Sequence, residues 1–309
     1  MKKNKVAKFL LNLSIVIVVL ASILLGGYFA IDKIIVPKYF SEYGIYNMND
    51  LVNIMKTLYT SPNEKNFITN PYTSYDTQNA VRKLTNAGFH LKPGSTDELD
   101  YDAIAEGTGF TLNPDIDFVE LNDCEIAGVL NQMLASGVLG RYLPNLDYLN
   151  TINMEAREVV ITPTITNHVL DPYSANISVV IKLDTSDVRS QMASYMDVPI
   201  FLLNMIVPET IYIESSMDVS IDEDQNWKHS NTFIYINGRT QEQSEKLLEL
   251  LISFIFPVEE EMTLDKFSET MGELLEYGLK MMGDVQFTNA IATDNASSST
   301  NGIHVTIKK

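Results

Sequence analysis

The chain has 309 residues, of which 45% are hydrophobic, and its 22 basic residues face 40 acidic ones for a formal charge of −18. It is too apolar for a disordered chain, and its acidity excludes broad-surface binding of nucleic acid or anionic headgroups, whose phosphates it would repel. The lone cysteine, Cys124, excludes an internal disulfide, a usage that suits a bacterial envelope better than a eukaryotic secretory lumen.

Charge is unevenly placed along the chain. Lys2, Lys3, Lys5, Lys8, Lys33 and Lys38 precede residue 39, where Asp32 is the sole acid. Residues 1–8 read as a short cytoplasmic tail, and the 23 uncharged residues from Phe9 to Ile31 read as a transmembrane helix. At 1.5 Å per residue such a helix is roughly 35 Å long, enough to cross a hydrocarbon core of about 30 Å with some tilt. A cleaved signal peptide is the rival reading, but cuts after Ala30, Gly27 or Ser22 put Tyr28, Leu25 or Leu20 where a small residue is needed, so the anchor reads as retained. The excess of lysine before the span places the N-terminus in the cytoplasm and the remainder outside a plasma membrane crossed once.

Residues 32–112 read as a helical neck, with helices around Asp50–Tyr59 and Ser74–Ala87 separated by loops at Ser61-Pro62-Asn63 and Asn70-Pro71. Residues 113–309 read as an α+β domain. Ile116 and Phe118 suggest a strand, after which Asn122 and Glu125 form an Asn-headed capping box. Ile126, Val129, Leu130, Met133 and Leu134 then make one apolar helical face, which Gly137 ends.

From about Asn153 the hydrophobic period becomes two. Ile177, Val179, Ile181 and Leu183 lie on one side of a strand, and Ile211, Ile213, Ser215, Met217, Val219 and Ile221 on one side of a longer one. Asp222 to Ser230 turns the chain into Thr232–Ile236, and Phe287–Ile291 with Ile303–Ile307 reads as a last pair. Thr240 with Gln243, and Thr263, open two helices between these strands. The first is apolar nearly all round, and the second carries Leu264, Phe267, Met271, Leu274, Leu275, Leu279 and Met282 on one stripe. The economical packing lays these helices on the apolar face of a mainly antiparallel sheet.

Chemical signatures are absent from the sequence: it has no G-x-S-x-G, no phosphate loop, no H-E-x-x-H and no C-x-x-C. No cofactor or metal is implied, and the chain reads as a non-enzymatic protein. His90, His168, His229 and His304 are scattered and read as ordinary surface or loop residues. Asp222-Glu223-Asp224-Gln225-Asn226 imitates the start of a calcium loop, but Trp227 and Phe233 stand where glycine and a bidentate glutamate are required, so it reads as a solvated hairpin turn. Cys124 falls in the first turn of a helix, where the dipole lowers a thiol pKa, but Asp123 and Glu125 oppose that effect.

The segment from Phe118 to Asn131, with Leu121-Asn122-Asp123 and Leu130-Asn131 around a strand, turn and helix, followed by long alternating strands and a late amphipathic helix, resembles the small membrane-anchored envelope proteins of TULIP or SMP type. The resemblance spans about residues 115–309, with Asn122 in place of the usual threonine. It implies a strongly curved sheet around a helix, with an apolar groove that binds lipid or another amphiphile. Leu251, Phe254, Phe267, Met271, Leu275 and Met282 are the candidate groove residues, since large flexible apolar side chains suit adaptable binding. The alternative is a structural or interaction protein of the cell envelope that docks a partner protein and has a fully packed core.

Overall fold

The structure, a computed structural model, describes residues 29–41, 45–59, 68–138, 153–186, 208–242, 276–280, 283–292 and 299–306, with positions 27, 141, 189, 190, 193, 200, 204, 244, 245, 272 and 273. The expected transmembrane helix lies almost wholly outside these residues. Among those described, no helix is long and apolar enough to cross a membrane.

A short π-helical stretch, Ile31–Ile35, runs into α1 (Val36–Phe40), and α2 follows at Met48–Tyr59. Asn47 starts α2 by accepting the Asn49 and Asp50 amides at 2.9 and 3.0 Å, while buried Asp32 takes the Met48 amide at 2.6 Å. Helix α3 spans Ser74–Ala87, the range expected from sequence, and begins with a capping box between Thr73 and Asp76. A short helix, α4 (Tyr101–Ala105), precedes β1 (Phe118–Asn122) and α5 (Asp123–Ser136). The α5 cap is the one the sequence marks: the Asn122 side chain accepts the Glu125 amide at 2.9 Å, and Glu125 Oε2 accepts the Asn122 amide at 3.0 Å. Gly137 closes the helix in the left-handed conformation, which costs glycine nothing.

The domain is mixed α+β with antiparallel sheets, and there are two of them. In one, β1 lies at the edge, paired to β7 (Ser299–Thr306), which pairs in turn to β6 (Asp284–Ala292). In the other, β2 (Asn153–Thr166), β3 (Val169–Asp184), β4 (Thr210–Ile221) and β5 (Trp227–Ile236) pair in chain order. In the four-stranded sheet β2–β3 and β4–β5 are joined by short turns, while residues 185–209 lie between β3 and β4. The three-stranded sheet joins residues nearly two hundred positions apart.

Helices α3 and α5 pack on each other and on both sheets. Val81 and Leu84 of α3, Ile126, Val129 and Met133 of α5, Ile161 and Ile177 of the four-stranded sheet, and Phe287, Ile303 and Val305 of the three-stranded sheet form one buried cluster. Phe89, Leu99 and Tyr101, from the stretch that precedes β1, belong to it as well. The two helices meet closely at Gly128, where a Cβ would stand 2.4 Å from Thr77 Oγ1, so no larger residue fits without moving α3.

The free side of β2 is closed by side chains rather than by another strand. Asn131 Oδ1 accepts the Ala156 amide at 3.1 Å, Asn301 Nδ2 donates to the Ile161 carbonyl at 2.8 Å, and the Asp123 carboxyl stands beside the Ile161 amide. At the other end of this edge the β2–β3 hairpin projects beyond the core. Its turn residues Asn167 and His168 both have positive φ, the geometry of a tight hairpin turn, and its tip exposes Ile165 (61%) and Val169 (67%).

Candidate functional site

Buried carboxyl groups gather where the N-terminus of α5 meets β2 and the strap 68–72 that leads into α3. Glu158, 2% exposed, opposes Val180 of β3, which opposes Glu214 of β4. Ile68 lies on Val180 and Tyr212 and covers this row. A single oxygen of Glu158, Oε1, accepts the Thr69 amide and the Thr69 hydroxyl, both at 2.9 Å, and the Asn70 amide at 2.5 Å. Backbone amides in an otherwise dry place need an acceptor, and this carboxylate oxygen supplies it to both.

Asp123, 6% exposed, lies beside the Ile161 amide, and its Oδ1 is buried with no hydrogen-bond partner. Burial first, and the Glu158 charge after it, push its carboxyl up to about 8. Glu214 is likewise pushed up, by burial and then by Glu158, against the hydrogen bond from Ser178. Next in line, Glu125 is fully buried but compensated: Lys83 Nζ stands 2.7 Å from its carboxylate and Asn79 Nδ2 donates to it.

Cys124 sits beside the strap. Asn70 Nδ2 donates to its Sγ at 3.1 Å, and burial, followed by Asp76 and Asp123, pushes the thiol up to about 11. Of the two carboxylates expected to oppose the helix dipole, Asp123 contributes, whereas Glu125, paired with Lys83, does not; burial leads, and Asp76 adds to it. The thiol is not activated as a nucleophile.

The remaining sequence candidates are dispersed. His90 Nε2 lies 2.7 Å from Thr111 Oγ1, His168 is in the β2–β3 turn, the His229 ring packs on the Gly272 backbone, and His304 stacks on Phe118 at 4.2 Å with Glu120 3.7 Å away. Asp222 to Asn226 forms the β4–β5 hairpin turn. The Asp222 carboxylate accepts the Asp224 and Asn226 amides at 3.0 and 2.9 Å, bonds that hold it below the usual carboxylate range. Among the described residues no three His, Cys, Asp or Glu side chains are grouped to hold a metal ion. The groove candidates Leu251, Phe254, Phe267, Met271, Leu275 and Met282 lie outside the described residues.

The sheet face they were expected to oppose is described. In register across the strands, Leu183 opposes Ile211, Ile181 opposes Ile213 and then Ile236, and Val179 opposes Ser215 and then Ile234. Leu183, Ile211, Ile234 and Ile236 are buried, yet they lie beyond the cluster shared by α3, α5 and the two sheets. Ser244 Oγ takes the Ile236 amide at 2.9 Å, which ties the start of the 241–280 segment to this end of the sheet. Gly278 lies next to Met133 of α5, its Cβ position 3.4 Å from Met133 Sδ.

Neither the periodicity nor the motif search marked Glu158, because its partners Thr69 and Asn70 are nearly ninety residues away. The one local trace is the broken alternation at Ala156-Arg157-Glu158, where a β-bulge interrupts the register with β3. No family model, no curated protein and no solved structure matches this chain.

Proposed function

We propose that the chain is a single-pass, membrane-anchored extracytoplasmic domain that binds lipid or another amphiphile. The apolar face of the four-stranded sheet and the segment carrying Leu251, Phe254, Phe267, Met271, Leu275 and Met282 would wall the groove. One observation supports the reading above the others: from Ile181 in the helix–sheet core the apolar face runs on through half-buried Ile213 to buried Leu183, Ile211 and Ile236 outside that core, giving more apolar sheet than α3 and α5 cover. Such a strip, flanked by long flexible side chains, is the chemistry an acyl chain requires. The full chain, purified from membranes in mild detergent, is expected to carry lipid visible by native mass spectrometry and to take up a fluorescent fatty acid. Uptake should fall at least tenfold in Phe267→Glu, and absence of both lipid and uptake would refute the reading.

A second reading, an envelope interaction protein with a packed core, draws on the β2–β3 tip. Residues 163–170 carry no formally charged side chain in a strongly acidic chain, and Ile165 and Val169 stand out into solvent. Capture of one envelope protein by the wild type, lost in Ile165→Lys with Val169→Lys, together with a lipid-free domain, would favour it.

A further inference from the structure

We propose that the tip of the β2–β3 hairpin dips into the hydrated interface of a bilayer whose headgroups are electrically neutral, a contact that rests on the anchored reading above but not on its groove.

The tip stands clear of the sheet. Pairing of β3 with β4 begins at Ser174, whereas β2 stays paired to β3 as far as Thr166 and Val169, so residues 164–171 form a two-stranded ribbon with no further strand beside it among the described residues. Across the ribbon Ile165 opposes Leu170, and Thr166 opposes Val169. Successive side chains of a strand alternate between faces, which puts Ile165 on one face of the ribbon and Val169 on the other. Both are exposed, at 61% and 67%. A flat protein surface covers one of them and leaves the other in water. A medium that surrounds the ribbon covers both.

Charge and reach select the medium. From Pro163 to Leu170 no side chain is formally charged, and the first acid, Asp171, opposes Thr164 at the base of the ribbon. The β4–β5 turn, with Asp222, Glu223 and Asp224, lies at the same end of the sheet and stops near that base, since Ser220 opposes Ser174. Tyr173, 38% exposed and held by Gln286 through its hydroxyl at 3.0 Å, adds an aromatic ring at this level, the residue type that sits at membrane–water boundaries. At about 3.3 Å per residue the uncharged ribbon reaches roughly 10 Å past Asp171, comparable with the depth of about 5–10 Å to which amphipathic helices enter a bilayer. The acids at the base repel anionic headgroups, so the matching surface is zwitterionic. A two-stranded ribbon leaves backbone groups on both edges to water, and its apex, Asn167-His168, is polar, which keeps the tip among hydrated headgroups and out of the hydrocarbon centre. Two apolar side chains bind weakly by themselves, and a tether that holds the domain near the surface makes such a contact persistent.

Site-directed spin labelling of the full chain in vesicles tests the contact. A nitroxide on Val169→Cys reports the tip and one on Asp224→Cys the acidic turn, while Cys124, half-buried with its thiol pushed up to about 11, stays unlabelled at neutral pH. In phosphatidylcholine vesicles the label at 169 should be at least fivefold less accessible to a water-soluble nickel chelate than the label at 224, and Ile165→Asp should abolish the difference. Replacing about 30% of the lipid with phosphatidylglycerol should shrink the difference at low salt, and about 0.5 M salt should restore it. A label at 169 that stays in water while the chain survives a carbonate wash of the vesicles would overturn the proposal and leave the anchor standing. A chain that washes off would overturn both. A tip that is wet in vesicles but shielded in native membranes belongs in a protein pocket, which overturns the proposal, as does a difference that grows with the anionic lipid.

Discussion

Helices α3 and α5 begin with the same device in opposite settings. At α3, Asp76 Oδ2 accepts the Thr73 amide at 2.7 Å and the Thr73 hydroxyl at 2.6 Å, all in solvent. At α5, Asn122 and Glu125 exchange equivalent bonds, but Glu125 is fully buried and is also the partner of Lys83 and Asn79. An exposed cap can be replaced by water at small loss. A buried one has become a structural centre, because the Asn122 amide and the Asn79 side chain lose that acceptor in a dry place if the carboxylate goes, and Lys83 keeps only the Glu120 carbonyl.

The largest effect should come from breaking the buried cap. Glu125→Ala leaves the Asn122 amide and Asn79 without this acceptor and the half-buried Lys83 without its carboxylate partner, at a cost of about 3 kcal/mol, read as a lowered urea midpoint at unchanged slope. Asp123, the residue beside it, sharpens the comparison through pH. Its carboxyl titrates near 8 in the folded chain, against about 3.9 unfolded, so unfolding releases a proton throughout that window. This contribution to stability is fully present below about pH 4 and is lost as pH rises through 8, at up to about 1.4 kcal/mol per pH unit. Asp123→Asn should remove that slope, so stability curves measured between pH 6 and 8 should diverge by about 2 kcal/mol. Parallel curves would show that Asp123 is ionised in the folded chain. The smallest effect belongs to the solvated cap: Asp76→Ala should cost about 1 kcal/mol by the same urea measurement.

The contrast between these caps also marks how far the sequence could be read. Both helices, the α5 capping box, its glycine stop and the strand ranges around Thr210–Ile221 are local patterns, and each is found where its spacing places it. Burial of Glu125 is not local. It needs Lys83 and Asn79, on a helix whose packing against α5 depends on the absence of a side chain at Gly128. For the same reason one apolar face was expected where there are two sheets: the pairing of β1 with β7 leaves no trace in either strand's own alternation. The apolar side chains Leu251, Phe254, Phe267, Met271, Leu275 and Met282 that suggest an amphiphile groove lie outside the described residues, and the apolar sheet face is the described part of that reading.

The side-chain seal along β2 carries a consequence for association. An exposed strand normally offers its unpaired amides and carbonyls to any other extended chain, and repetition of that step builds fibrils. The Ala156 amide and the Ile161 carbonyl are already occupied by Asn131 and Asn301, and the Asp123 carboxyl stands beside the Ile161 amide. A second molecule cannot zip onto this border without first dislodging α5 and β7, so lateral growth of the larger sheet is blocked on that side for as long as the helix stays seated.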